Sequence, residues 1–132
     1  MDAIHHFPKE YLPGTVQEMA RVVRPGGTIL IAEDWAAPPQ NERERVMDSL
    51  QRRRHLTRHG LEYHPSEVEW SAMLARAGFD LVNLDHVLRP LNFGRFEELK
   101  DPEAHEELAR LRELWGQERP TTKMSLFYSR KR

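Results

Sequence analysis

The sequence contains no cysteine. That absence removes disulfide frameworks, thiolate zinc sites and cysteine nucleophiles together, and it is compatible with a reducing, cytoplasmic setting. A long apolar run is missing too. The longest is the handful of residues around Thr28 to Ala32, far short of the roughly 20 that a membrane-crossing helix needs, and no basic-then-apolar leader opens the chain. The expectation is a soluble chain with no membrane partner. Nor is there an excess of charge of one sign: 20 Lys and Arg stand against 21 Asp and Glu, for a formal net charge of -1. No global field would steer such a molecule toward nucleic acid, so none is expected as a partner.

What is present fits a single domain spanning residues 1–132. Hydrophobic residues make up 39% and charged residues 31%, enough apolar material for a packed interior. The mean hydropathy of -0.74 is polar for a protein built on a buried sheet. It points to long solvated helices, or to a core that a partner completes.

Periodicity supplies the elements. Val16, Met19, Ala20 and Val23 recur at helical spacing between Thr15 and Arg24. Thr15 and Glu18 have capping-box spacing, Arg21 and Arg24 suit the negative end of the helix dipole, and Pro25-Gly26-Gly27 stops the helix. Thr28 to Ala32, a continuous β-branched and apolar run ending in Glu33-Asp34-Trp35, predicts a strand buried on both faces, as in a sheet covered by helices on two sides. Beyond Pro38-Pro39, Asn41 can cap a helix from Glu42 to about His59, ended by Gly60. Its clear apolar contacts are only Val46, Met47 and Leu50, so most of its surface should be solvated or meet something polar.

Ser66 and Glu69 repeat the capping-box spacing ahead of a stripe of Trp70, Met73, Leu74 and Ala77, and Gly78 supplies a left-handed terminus. Phe79 then leads into a strand from Leu81 to Leu88, with Val82, Leu84, His86 and Leu88 on one face. A loop holding Pro90 and Gly94 follows. Asp101 and Pro102 start a helix with Ala104, Leu108, Leu111 and Trp115 facing inward, Met124 to Ser129 forms a last strand, and Arg130-Lys131-Arg132 reads as a solvated cluster. Such alternation argues for an α/β layer architecture. Three strands are fewer than the usual four to six or so of a sheet.

Three segments together carry a family resemblance. They are Asp2-Ala3-Ile4-His5-His6-Phe7, then Glu18-Met19-Ala20-Arg21-Val22-Val23-Arg24-Pro25-Gly26-Gly27, then Thr28-Ile29-Leu30-Ile31-Ala32-Glu33-Asp34. In order and spacing they resemble class I S-adenosylmethionine-dependent methyltransferases of the small-molecule type, where a "lHHf" turn after strand four precedes a helix ending in "P-G-G" and then strand five. Ala77-Gly78-Phe79 resembles that family's entry to strand six, and Met124 to Lys131 its closing strand seven. The resemblance implies a partial Rossmann-like methyltransferase sheet, holding the equivalents of strands five, six and seven flanked by helices: the C-terminal half of the fold. The family's strand order, three-two-one-four-five-seven-six, would leave the Thr28 to Ala32 edge open for the missing strands.

The family holds S-adenosylmethionine with a glycine-rich loop after strand one and an acidic residue ending strand two. No G-x-G-x-x-G occurs in the sequence, so the principal cofactor segment is expected from elsewhere. The resemblance therefore implies the acceptor side of a methyltransferase, inactive alone and completed by a complementary subunit or a second copy at the open sheet edge. The rival reading is a non-catalytic assembly module that uses that edge for pairing. A third is a truncated reading frame.

By the same resemblance His5 and His6 fall where the strand-four turn approaches donor and acceptor, with His5 and Phe7 against the cofactor. A histidine there can act as a general base, or can simply pack or cap the next helix. Asp34 and Trp35 stand at the C-terminal end of a strand, where ligands gather in open sheets. Asp34 could orient or deprotonate an acceptor and Trp35 could wall an aromatic or cationic substrate, the alternative being a loop carboxylate and a capping aromatic. His55, His59 and His64 have conceivable metal spacing, but Leu56-Thr57-Arg58 lie between the first two and offer no carboxylate, so no metal is expected. Arg52-Arg53-Arg54 with Arg58 could bind an anion, although a solvated helix face explains the run more simply. The stretch from Phe93 to Gly116 sits where a substrate cover could be elaborated, or is an ordinary surface helix.

Overall fold

The computed structural model describes residues 8–60 and 64–132. Its elements are α1 (Leu12–Val22), β1 (Thr28–Asp34), α2 (Glu42–His59), α3 (Glu67–Arg76), β2 (Phe79–Pro90), α4 (Pro102–Trp115) and β3 (Thr121–Lys131), with single 3-10 turns at Lys9–Tyr11 and Phe93–Phe96. The architecture is mixed α/β with a three-stranded sheet in the order β1-β3-β2. The last strand in sequence is thus the middle one in space. It runs antiparallel to β1, in register from Thr28 opposite Arg130 to Asp34 opposite Met124. Against β2, Arg132 N donates to Gly78 O at 2.9 Å and Leu91 N donates to Pro120 O at 3.0 Å. Those two bonds join opposite ends of both strands, so that pair is antiparallel as well.

Two compact units emerge: Met1–Pro38, Tyr63–Val87 and Lys123–Arg132 make up the first, and Pro39–Glu62 with Leu88–Thr122 the second. In the first unit, Ile31 and Phe127 of the sheet pack with Leu12, Val16 and Ala20 of α1, Trp70, Met73 and Leu74 of α3, and Ala36 and Phe79. Both helices therefore cover the same sheet face. The expectation of a strand buried on both sides is corrected: Leu30 is 49% exposed and its cross-strand neighbour Tyr128 is exposed too, because no described helix of this unit lies over that face. The expected stripe on β2 is corrected likewise. Val82 and Leu88 are exposed and Leu84 alone of the four apolar or imidazole positions packs on this core, since an edge strand has a neighbour on one side only.

The first helix begins three residues earlier than its periodicity suggested. Pro13 occupies the first turn, where a missing N–H costs nothing, and Leu12 adds a buried residue to the stripe. Thr15 is consequently inside the helix, and its hydroxyl donates back to Tyr11 O at 2.8 Å instead of capping. Glu18 pairs with Arg21 at 2.6 Å. By contrast the Ser66–Glu69 capping box on α3 is complete in both directions.

The chain's closing residues are fasteners, which corrects the reading of Arg130-Lys131-Arg132 as a solvated cluster. Lys131 Nζ donates to Val23 O at 2.6 Å and also to Ala20 O, the free carbonyls at the end of α1. Arg132 donates to Ala75 O in the last turn of α3 at 2.9 Å and pairs with Asp80 at 2.6 Å. A cation over the carbonyl end of a helix satisfies orphan acceptors and meets the negative end of the dipole. Arg130 and Arg132 both stay exposed; it is the partners of Lys131 and Arg132 that make those two fasteners.

In the second unit Met47 and Leu50 of α2 pack with Ala104, Leu108, Leu111 and Trp115 of α4, and with Leu91, Phe96 and Leu99. Asn41 caps α2 by accepting from Glu44 N at 2.9 Å, and Asp101 caps α4 by accepting from Ala104 N at 2.7 Å. Two arginines of the run on α2 meet carboxylates from outside the helix. Arg53 reaches Glu103 at 3.0 Å, Glu107 at 3.2 Å and Asp101 at 3.4 Å, and Arg54 pairs with Glu98 at 2.9 Å. The hydrogen bond to Glu103 is the main reason that the Arg53 guanidinium is held more firmly protonated than usual. Arg110 grips both oxygens of Glu42, at 2.8 and 3.0 Å, and holds that carboxyl below its ordinary range. These bonds tie the two helices together at their polar margins while the apolar side chains meet inside.

Replacing Lys131 with Met is expected to destabilise the protein by about 1–2 kcal/mol, the scale of charge-assisted bonds at a helix terminus. Arg130→Met should stay within about 0.5 kcal/mol of the parent. Urea denaturation of the two variants checks both, and equal losses would contradict the fastening role.

Candidate functional site

The residues that could carry chemistry in the first unit collect where β1 ends and β3 begins. β1 runs along the core through Ile29 and Ile31 and then places a carboxylate, Glu33, at the next inward position, 2% exposed. The register sets Glu33 opposite Ser125 of β3. Ser125 is fully buried, and its hydroxyl donates to Glu67 Oε1 at 2.7 Å. Glu67 is the first residue of α3, and its backbone N–H donates to Ala36 O at 3.0 Å, just past the end of β1. The same Glu67 oxygen meets Nε2 of His86, from β2, at 2.5 Å. All three strands and the start of α3 therefore contribute a polar side chain to one end of the sheet.

Asp34 and Trp35 border this cluster. Asp34 closes β1 opposite Met124 and is half-buried. Trp35 has φ 66°, the one non-glycine residue in the left-handed region among those described. For a bulky side chain that conformation costs on the order of 1–2 kcal/mol, and such strain tends to mark positions that the surroundings hold for a purpose. Its ring meets the buried His64 edge-on, with centroids 4.5 Å apart and planes at 73°. Trp35 is half-buried and follows Asp34 directly in sequence, and an indole face is a surface on which a cationic or aromatic group can rest.

Of the residues picked out from the sequence, Asp34 and Trp35 stand together here. His5, His6 and Phe7 lie outside the described residues. His55 is buried on α2 in the second unit and His64 is buried in the first. Among the described residues no group of three or more histidine, aspartate or glutamate side chains is placed to hold a metal ion. Glu33, Glu67, Ser125 and His86 were not legible as a set. Each comes from a different element, and only the antiparallel insertion of β3 brings them together. The one available signal was a charged residue, Glu33, and a hydroxyl, Ser125, at positions that strand alternation assigns to the buried face.

Solved structures with the same arrangement exist. The chain superposes on a protein of Bacillus halodurans C-125, BH2331, provisionally named a methyltransferase, with a TM-score of 0.64 and 22% identity, covering 98% of this chain and 61% of that one. The fold is methyltransferase-like. The YcgJ protein of Bacillus subtilis gives a TM-score of 0.59 at 18% identity, again over 98% of this chain and 61% of that one. No family model matches the chain and no curated protein matches it in sequence. The chain thus spans 61% of the length of each of these two solved structures. The observed order β1-β3-β2 agrees with the five-seven-six order that the resemblance implies for this part of the sheet. The end of β1 bearing Asp34 and Trp35 is the C-terminal end of a strand, the side on which ligands bind in open α/β sheets.

Removing the Ser125 hydroxyl should cost about 1–3 kcal/mol, because it leaves a mostly buried carboxylate short of a donor. In a double-mutant cycle, Ser125→Ala and Glu67→Ala are expected to be coupled by more than about 0.5 kcal/mol. Additive losses in guanidinium denaturation would show that the pair is not formed.

Proposed function

We propose that this chain forms the acceptor-binding side of a class I methyltransferase that uses S-adenosylmethionine and acts on a small molecule, in a reducing, cytoplasmic setting. The observation that carries the reading is the sheet order β1-β3-β2 with its antiparallel middle strand, in a fold that covers 98% of this chain. Asp34 and Trp35 would receive the acceptor: the indole as a wall, the carboxylate as an orienting group or proton acceptor. By resemblance His5 and Phe7 would lie against the cofactor and His5 or His6 would serve as a base. Holding the acceptor's nucleophile in line with the methyl group is the larger part of catalysis of this kind.

The described residues do not by themselves fit the cofactor. Their one glycine pair beside a strand, Gly26-Gly27, precedes β1, at the end of that strand opposite Asp34. Its backbone groups are committed: Gly26 N donates to Lys131 O at 2.9 Å, Gly27 N to Arg24 O at 2.8 Å, and Lys131 N to Gly27 O at 2.8 Å. The glycine-rich strand–loop–helix of the family must then come from polypeptide beyond these 132 residues, in the same chain or in a partner docked on the β1 edge. A second reading, an assembly module that pairs through that edge, draws support from the exposed Leu30 on an edge strand.

A fusion separates the two. The part of BH2331 that this chain does not cover is joined ahead of it, and the cooperatively folded product is titrated calorimetrically with S-adenosylmethionine. The methyltransferase reading expects saturable binding by the fusion and none by the 132-residue chain. Binding by the chain alone, or a folded fusion that binds nothing, contradicts it.

A further inference from the structure

His86 has no role in the reading above, yet three observations converge on its ring. The first is its place. β1 and β2 both run antiparallel to β3, so they are parallel to each other and their C-terminal ends lie at one end of the sheet. His86 stands in the C-terminal half of β2, two residues after Leu84. Alternation puts both on one strand face, and Leu84 packs on the core of the first unit. The imidazole therefore lies on the helix-covered face, toward the same end of the sheet as Asp34 and Trp35.

The second observation fixes the protonation pattern of the ring. Glu67 Oε1 accepts the Ser125 hydroxyl at 2.7 Å and meets His86 Nε2 at 2.5 Å. A carboxylate oxygen only accepts, so Nε2 is the donor and, in the neutral ring, Nδ1 carries the lone pair. Among the described residues Nδ1 has no hydrogen-bond partner. The third is access. The side chain of Glu67 is 16% exposed and that of His86 is 41% exposed, so the orienting group is sheltered while the ring it orients reaches solvent. A carboxylate behind one imidazole nitrogen holds the tautomer and stabilises the imidazolium that forms when the other nitrogen takes a proton. Glu67 also ties this ring to the indole, because its backbone N–H donates to Ala36 O at 3.0 Å, one residue after Trp35.

We propose that His86 is a proton acceptor positioned by Glu67, and that the molecule it serves is a phenol. The phenol hydroxyl donates to Nδ1; its proton passes to that nitrogen, the O–H electron pair stays on the oxygen, and the imidazolium remains bonded through Nε2 to Glu67. The Trp35 ring offers an aromatic molecule a stacking surface. That this phenol is the methyl acceptor rests on the methyltransferase reading; its binding at His86 does not.

4-Nitrophenol is the probe, because its phenolate absorbs at longer wavelength than its neutral form. The probe is titrated with the full chain at a pH where most of the free probe is neutral. The phenolate band should grow saturably, and in His86→Gln the apparent Kd should rise about tenfold or more, the scale of a lost hydrogen bond to a charged group. His86→Asn serves as a second variant. A phenolate band that does not grow with the parent protein, or that grows equally in both variants, overturns the proposal. Ring 15N NMR of the parent chain gives a readout that no variant's folding affects: the neutral His86 ring should carry its proton on Nε2, and the opposite tautomer also overturns the proposal. Failure of the methyltransferase reading is seen separately, as a folded fusion that binds no S-adenosylmethionine.

Discussion

The antiparallel insertion of β3 between β1 and β2 is the constraint on which the rest of the first unit depends. It joins two strands that are separated in sequence by two helices, and its place in the middle of the sheet pairs its backbone groups on both sides. Its alternate residues, Ser125, Phe127 and Ser129, all point into the core side and are buried. Lys131 at its end and Arg132 just beyond it reach past the sheet to the carbonyl ends of α1 and α3. Sheet order, helix attachment and the polar cluster at Glu67 are three consequences of one strand placement.

The second unit is held differently. Its apolar interior is modest, and the margins of α2 and α4 are laced by arginine–carboxylate pairs, several shared by one guanidinium. Exposed pairs contribute little singly, but a shared cation with several acceptors fixes helix register where a small core leaves it loose.

Much of the fold was legible because it rests on local rules. The limits of α2, the caps at Asn41, Ser66 and Asp101, the glycine stops at Gly60 and Gly78, and the inward face of α4 all follow from spacing and from residue types with one good conformation. The errors share a cause as well. Thr15 looked like a cap from its spacing to Glu18, whereas the helix already starts at Leu12 with Pro13 in its first turn. Lys131 and Arg132 looked solvated because their partners, the carbonyls of Ala20, Val23 and Ala75, are backbone groups that no side-chain pattern reveals. At the site, Asp34 and Trp35 were readable from their place at the end of a strand. The Glu67, Ser125 and His86 cluster was not, because its members approach only through tertiary pairing.

The central claim is that β3 is the inner strand on which both neighbours depend, and native-state hydrogen exchange tests it most directly. The amides of Leu126 to Ser129 should be among the slowest in the protein, opening only with global unfolding, while the outward-facing amides of β1 exchange by local fluctuation. If β3 exchanges as fast as the exposed edge of β1, it is not the strand that the first unit is built around.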